Sequence, residues 1–183
     1  MAVRIVWGIT GSGDRIAEVF EVMNELAEHK ELEITSVLSK AAVKVVNWYK
    51  LKEKLDSISK KVFVEEDANT PFIVGPLQIG EFDCLLVAPA TANTVAKVVN
   101  GIADTIITNA ISQTNKTNTP IYIFPVDQNK GTATTILPGG KKLKLTMRDV
   151  DVENSNKLRA MSGITTLASP SDIKTVLNKH LQE

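Results

Sequence analysis

The sequence predicts an α/β fold: a doubly wound, mostly parallel sheet with helices on both faces. Two observations carry that expectation. Short β-rich runs alternate with helical apolar patterns along most of the chain, which is the signature of βαβ units. One of those runs, Cys84 to Ala88, is apolar without interruption, so it reads as a central strand covered on both sides.

Val3 to Ile9 reads as a buried first strand, and Ile16, Val19, Phe20, Met23 and Leu26 then recur at helical spacing. Glu33 to Leu38 is the second strand, followed by a helix through Val43, Val46 and Tyr49. The alternating charges from Lys50 to Lys61 suit a solvated helix face, and Lys61 to Val64 makes a weaker third strand. After the central strand, Ala92 to Asn100 and Asp104 to Ser112 read as helices, and Ile121 to Phe124 returns to strand. The chain ends on a helix with Ser169 as cap, Pro170 in the first turn and a stripe of Ile173, Val176, Leu177, His180 and Leu181. Asp127 to Asp151 is too long for an ordinary connection. Within it, Thr132–Leu137 and Lys141–Met147 can pair across Pro138-Gly139-Gly140, a hairpin-like excursion near residues 132–147 of the kind that serves as a lid or an oligomer contact. Lys141, Lys142 and Lys144 give it a basic edge, suited to protecting the strand or to meeting an acidic redox partner. No repeat or linker interrupts the pattern, so residues 1–183 read as a single domain, Rossmann-like or flavodoxin-like.

Composition excludes several classes of function. Of the 183 residues, 21 are Lys or Arg and 21 are Asp or Glu, so no global field favours nucleic acid or an anionic membrane. No apolar stretch is long enough to span a bilayer, and Met1 to Ile9 lacks the features of a signal peptide. A lone cysteine, Cys84, rules out an internal disulfide and any cluster or zinc site made from the chain's own thiolates. The expected compartment is the cytoplasm, and no metal site is expected.

In an open parallel sheet, ligands bind beyond the carboxyl ends of the strands. After the first strand comes Gly8-Ile9-Thr10-Gly11-Ser12-Gly13-Asp14, whose glycines and small hydroxyls let backbone N–H groups approach a phosphate. It is neither a Walker A loop nor a full dinucleotide fingerprint, because Ile16 stands where a third glycine is required, and taken alone it also suits a plain tight turn. The second strand ends in Leu38-Ser39-Lys40, without the acidic residue that binds the ribose of NAD. A hydroxyl and a cation suit a phosphate; equally, Ser39 suits a helix cap and Lys40 a solvated surface. Together the two loops indicate a mononucleotide phosphate held from two sides, with NADP as competitor through Lys40. After the central strand, Thr91, Ala92, Asn93 and Thr94 open a helix with groups that can meet the polar edge of a planar ring or its ribityl chain. A helix cap would explain Thr91 by itself.

These segments carry a resemblance. Gly8-Ile9-Thr10-Gly11-Ser12, Ser39-Lys40-Ala41-Ala42, Pro89-Ala90-Thr91-Ala92-Asn93-Thr94 and Gly101-Ile102-Ala103-Asp104 resemble the homo-oligomeric FMN-containing cysteine decarboxylase superfamily. Trp7 to Asp14, Ile123-Phe124-Pro125 and Thr146 to Asn154 are similar to its archaeoflavoprotein branch. The resemblance implies FMN at a subunit boundary of a homo-oligomer built from trimers. It implies that Gly11, Ser12, Gly13 and Ser39 hold the phosphate and that Thr91, Asn93 and Thr94 contact the flavin or ribityl portion, with Thr10 and Ala92 also among the cofactor-binding residues. It also implies electron transfer of the dihydromethanopterin reductase kind, with a ferredoxin-like or iron–sulfur flavoprotein donor.

The departures select among activities. The decarboxylases of the superfamily carry a histidine in the segment matching Thr70–Glu81, an Asn-Met pair after the fifth strand and a cysteine-bearing clamp near the C-terminus. This chain has Pro71, Gly75 and Pro76, then Pro125-Val126-Asp127, and no cysteine after Cys84. Its histidines, His29 and His180, fall late in predicted helices. The expected activity is therefore FMN-dependent oxidoreduction. The alternatives are a flavin-dependent decarboxylase or prenyl transferase, an NADP-dependent reductase, and a non-catalytic flavin carrier.

Overall fold

Six strands form the central sheet of the computed structural model, which describes residues 2–182. They are β1 (Val3–Ile9), β2 (Leu32–Leu38), β3 (Lys61–Val64), β4 (Cys84–Ala90), β5 (Ile121–Pro125) and β8 (Ile164–Thr166), in the order β3-β2-β1-β4-β5-β8. Every pairing in this sheet is parallel, and the antiparallel pairing is confined to the hairpin of β6 (Thr132–Ile136) and β7 (Lys142–Thr146).

The period of two along the strands divides the core into two layers. Ile5, Trp7 and Ile9 of β1 face α1 (Ile16–Leu26), α2 (Lys40–Trp48), α3 (Lys52–Ile58) and α8 (Ser171–Gln182). On the other face Val6, Leu85, Val87 and Ile123 meet α4 (Val74–Gln78), α5 (Ala92–Val99), α6 (Ile106–Thr114) and α7 (Asp149–Arg159). All seven residues of β4 are buried, which fits its place in the middle of the sheet. Trp7 packs against Phe20 with ring centroids 5.0 Å apart and donates its indole N–H to the carbonyl of Ala88 at 2.7 Å, so this large buried side chain leaves no polar atom unpaired. Gly8 lets α6 close onto β1, since a Cβ there would stand 2.9 Å from Ile107 Cδ1.

Four details differ from the expectation, each for a local reason. Helix α1 stops at Leu26, so His29 lies beyond it, exposed in the turn before β2. Helix α8 starts at Ser171 and Ser169 does not cap it: the Ser169 hydroxyl bonds that of Ser171, while Asp172 accepts the N–H groups of Ala168 and Ser169. The segment after the hairpin, to which the sequence pattern assigns no element, forms α7, whose inward side mixes Asp151, Asn154 and Ser155 with Val152 and Leu158 and thus shows little apolar periodicity. Strand β8 has three residues and α4 has five, too short for either period to register.

Candidate functional site at the strand order reversal

The strand order reverses between β1 and β4, whose following loops therefore diverge and leave a crevice at the carboxyl end of the sheet. Thr10 joins the two loops. Its hydroxyl donates to the carbonyl of Pro89 at 2.7 Å and accepts from the Thr91 N–H at 2.9 Å. The register between β4 and β5 shifts between Val87 and Ala90, and pairing resumes at Ala90 with Pro125.

Beyond this junction opens a cleft of about 400 Å³, lined by Thr10, Gly11, Ser39, Lys40, Ala41, Glu65, Thr91, Asn93, Thr94, Thr105 and Ile107. Six of the nine residues singled out in the sequence thus meet on one cavity: Thr10, Gly11, Ser39, Thr91, Asn93 and Thr94. Gly11 has a steric reason to be glycine, because a Cβ there would lie 2.6 Å from Ala41 Cβ, and the loop can approach α2 only without it. Ser12, Gly13 and Ala92 stand beside the lining. Ser12 is buried with its hydroxyl on the carbonyl of Asp14 at 3.3 Å, and Gly13 accommodates the Tyr49 ring, whose hydroxyl would be 2.7 Å from a Cβ.

The polar groups of the cleft divide into those already paired and those free to bind. Ser39 caps α2 by accepting the Ala42 N–H at 3.1 Å, which leaves its own hydrogen to donate. Thr91 caps α5 through the Thr94 N–H at 3.2 Å, and the two threonine hydroxyls bond each other at 3.0 Å. The Asn93 side chain is exposed and hydrogen-bonds nothing among the described residues. Lys40 is exposed at the start of α2. Sequence reasoning passed over Glu65, a buried carboxylate at the end of β3 that accepts the N–H groups of Lys40 and Ile106, each at 2.9 Å. Its neighbour Glu66 is an exposed glutamate, so residue type alone does not separate the two.

A second cleft, of about 350 Å³, lies over the β2–β3 face, with Arg4, Glu33, Lys61 and Phe63 among its lining residues. It contains none of the loop residues, and its rim carries charges of both signs. Among the described residues no group of three or more His, Cys, Asp or Glu side chains is placed to hold a metal ion. No helix among them is long and apolar enough to cross a membrane. Burial raises the Cys84 thiol far above its ordinary range, with the charge of Asp83 adding to the effect, so this cysteine is packing.

The family model for flavoproteins matches residues 1–181. An uncharacterized protein of Methanocaldococcus jannaschii is 54% identical over 179 residues, spanning 98% of this chain and 96% of that protein. A dihydromethanopterin reductase (acceptor) of the same organism is 43% identical over 159 residues, covering 81% of this chain but only 65% of its own length. Among solved structures, Burkholderia xenovorans DmrB in complex with FMN, described as a cubic protein cage for redox transfer, superposes with a TM-score of 0.82. It is 28% identical, and the match covers 98% of this chain and 96% of that one. These matches agree with the archaeoflavoprotein resemblance carried by the loops. With the family match covering residues 1–181 of the 183, this protein is a member of the flavoprotein family.

Proposed function

We propose that residues 1–183 form a single FMN-binding domain that acts as a cytoplasmic oxidoreductase on a pterin of the dihydromethanopterin class. The observation that carries this reading is the cleft itself, at the point where the strand order reverses, with its free donors spread along its walls. Those donors suit the ligand. Ala41 N–H in the first turn of α2 has no acceptor among the described residues, the Ser39 hydroxyl can donate beside it, and Lys40 adds positive charge. The Gly11 loop closes the same end. On the other wall Asn93 offers an amide to the ribityl chain or ring edge, with Thr91 and Thr94 beside it. Thr10, Ser12, Gly13 and Ala92 shape these two loops. When bound, FMN supplies the redox chemistry, and the protein supplies binding, orientation and shielding from water.

Two relatives support the substrate and the chemistry: the dihydromethanopterin reductase and the FMN-bound redox cage. We assign the electron donor to a ferredoxin-like protein, since this chain has no thiolate set to hold a cluster of its own. We further propose a homo-oligomer built from trimers; exposed apolar side chains such as Phe72 (73%) and Ile79 (74%) give such an assembly surface to bury. The test is an anaerobic titration with FMN, followed by mixing of the reduced holoprotein with a dihydropterin. The expected result is one FMN per chain and reoxidation of the flavin by the pterin. A protein that takes up no FMN contradicts the reading.

A further inference from the structure

We propose that Glu65 is the positioning residue of the flavin cleft: it ties together the starts of two helices, α2 and α6, whose residues line that cleft. The proposal rests on the flavin reading of that cleft.

The local structure explains why this glutamate, rather than Glu66, turns inward. The Glu65 N–H donates to the Leu38 carbonyl at 2.9 Å, extending the β2–β3 ladder by one residue. Its side chain is thereby held beneath the starts of two helices whose tied residues are far apart in sequence. Oε2 accepts the first N–H of α2, from Lys40, and Oε1 accepts the first N–H of α6, from Ile106. Each helix is also capped by its own hydroxyl residue: Ser39 takes the Ala42 N–H, and Thr105 takes the Thr108 N–H at 3.1 Å. Each helix thus has its first and third N–H groups satisfied internally, and the second, from Ala41 or Ile107, is left over.

The charge matters as much as the reach. Two helix N-termini, each equivalent to roughly half a positive charge, converge on one carboxylate and are balanced by it. A neutral side chain of the same shape cannot do this. A glutamine offers one acceptor oxygen, so its amide group would face an N–H donor and release one helix. An aspartate keeps the charge but is one methylene shorter, so it reaches one helix only. Either change shifts the Ser39–Ala41 wall relative to Thr105 and Ile107 without touching a group that contacts the reacting ring.

The experiment measures FMN affinity, the visible circular dichroism of bound flavin and the melting temperature for wild type, Glu65→Gln, Glu65→Asp and the exposed control Glu66→Gln. Glu65→Gln is expected to weaken FMN binding about tenfold, as for one charge-assisted hydrogen bond lost, and to change the visible dichroism. Glu65→Asp is expected not to restore the affinity, and Glu66→Gln to match wild type. A lower melting temperature with unchanged affinity and dichroism in Glu65→Gln would reduce Glu65 to a purely structural role. Full rescue by aspartate would show that charge suffices without the span, and it too overturns the proposal. Wild-type protein that binds no FMN defeats the flavin reading instead, so the two failures are distinguishable.

Discussion

Asp127 sits half-buried just beyond β5, where its carboxyl group meets little to favour ionisation. Burial pushes it above its ordinary value of 3.8, and the nearby charges of Asp151 and Asp14 push the same way, while Arg148 opposes them. A carboxyl whose folded value is raised binds more protons in the folded state than in the unfolded chain. Its penalty is therefore absent below the ordinary value, grows as pH rises through the window up to the folded value, and stays constant above it. Asp127→Asn should raise the melting temperature by a few degrees at neutral pH, and that gain should disappear as the pH falls to about 4. Thermal denaturation of both proteins across that range checks it; a gain that persists unchanged at the acid end contradicts the assignment. Nothing in Pro125-Val126-Asp127 signals this behaviour, because it arises from burial in the fold and then from Asp151 and Asp14, which are distant in sequence. Glu65 is illegible for the same reason: its partners, Lys40 and Ile106, open α2 and α6, which only the fold brings together.

Helix α2 shows how one element can serve a structural and a binding role through a single side chain. The sequence left two readings of Ser39 open, a cap and a phosphate ligand. The cap is present, and it uses the oxygen's acceptor capacity rather than its hydrogen. The two roles are therefore compatible and separable by measurement. Ser39→Ala should lower stability by about 1 kcal/mol through the lost cap and weaken FMN binding roughly ten- to hundredfold through the lost donor. Thermal melts and flavin titrations read the two effects independently. A lower melting temperature with an unchanged dissociation constant leaves Ser39 as a cap alone. The elements that sequence reading located are those with a regular period, such as β1, α1 and β4, and the hairpin, whose Pro-Gly-Gly turn is explicit. The elements it passed over lack that signal. Helix α7 is held by a mixture of contacts, the Ser155 hydroxyl on the Asp127 carbonyl at 2.8 Å beside the buried Leu158, and so has no clean apolar stripe.

At the scale of the whole molecule the question is which flavin chemistry the fold can support, since related folds carry more than one. Decarboxylation of a peptide-terminal cysteine needs groups that move protons beside the flavin, and general acid–base help is commonly worth about 10²–10⁴ in rate. The lining of the cleft contains two side chains of that kind, Lys40 and Glu65, and Glu65 is already committed to two backbone N–H groups. The chain's two histidines and its cysteine all lie outside this lining. His29 is exposed at the turn leading into β2, at the end of the sheet away from the cleft. His180 lies near the end of α8 with its ring nitrogen 3.0 Å from the Tyr122 hydroxyl. Cys84 is fully buried at the start of β4. Electron transfer needs none of these groups; it needs a bound flavin with an accessible edge and a donor that can approach it. Reduced ferredoxin is therefore expected to reduce the holoprotein, and the reduced flavin to pass electrons to an added acceptor. Peptides ending in cysteine should be recovered at unchanged mass from the same mixture. Loss of carbon dioxide from such a peptide, together with a flavin that ferredoxin leaves oxidised, would assign the cleft to decarboxylation and place its proton-transfer group somewhere other than these three residues.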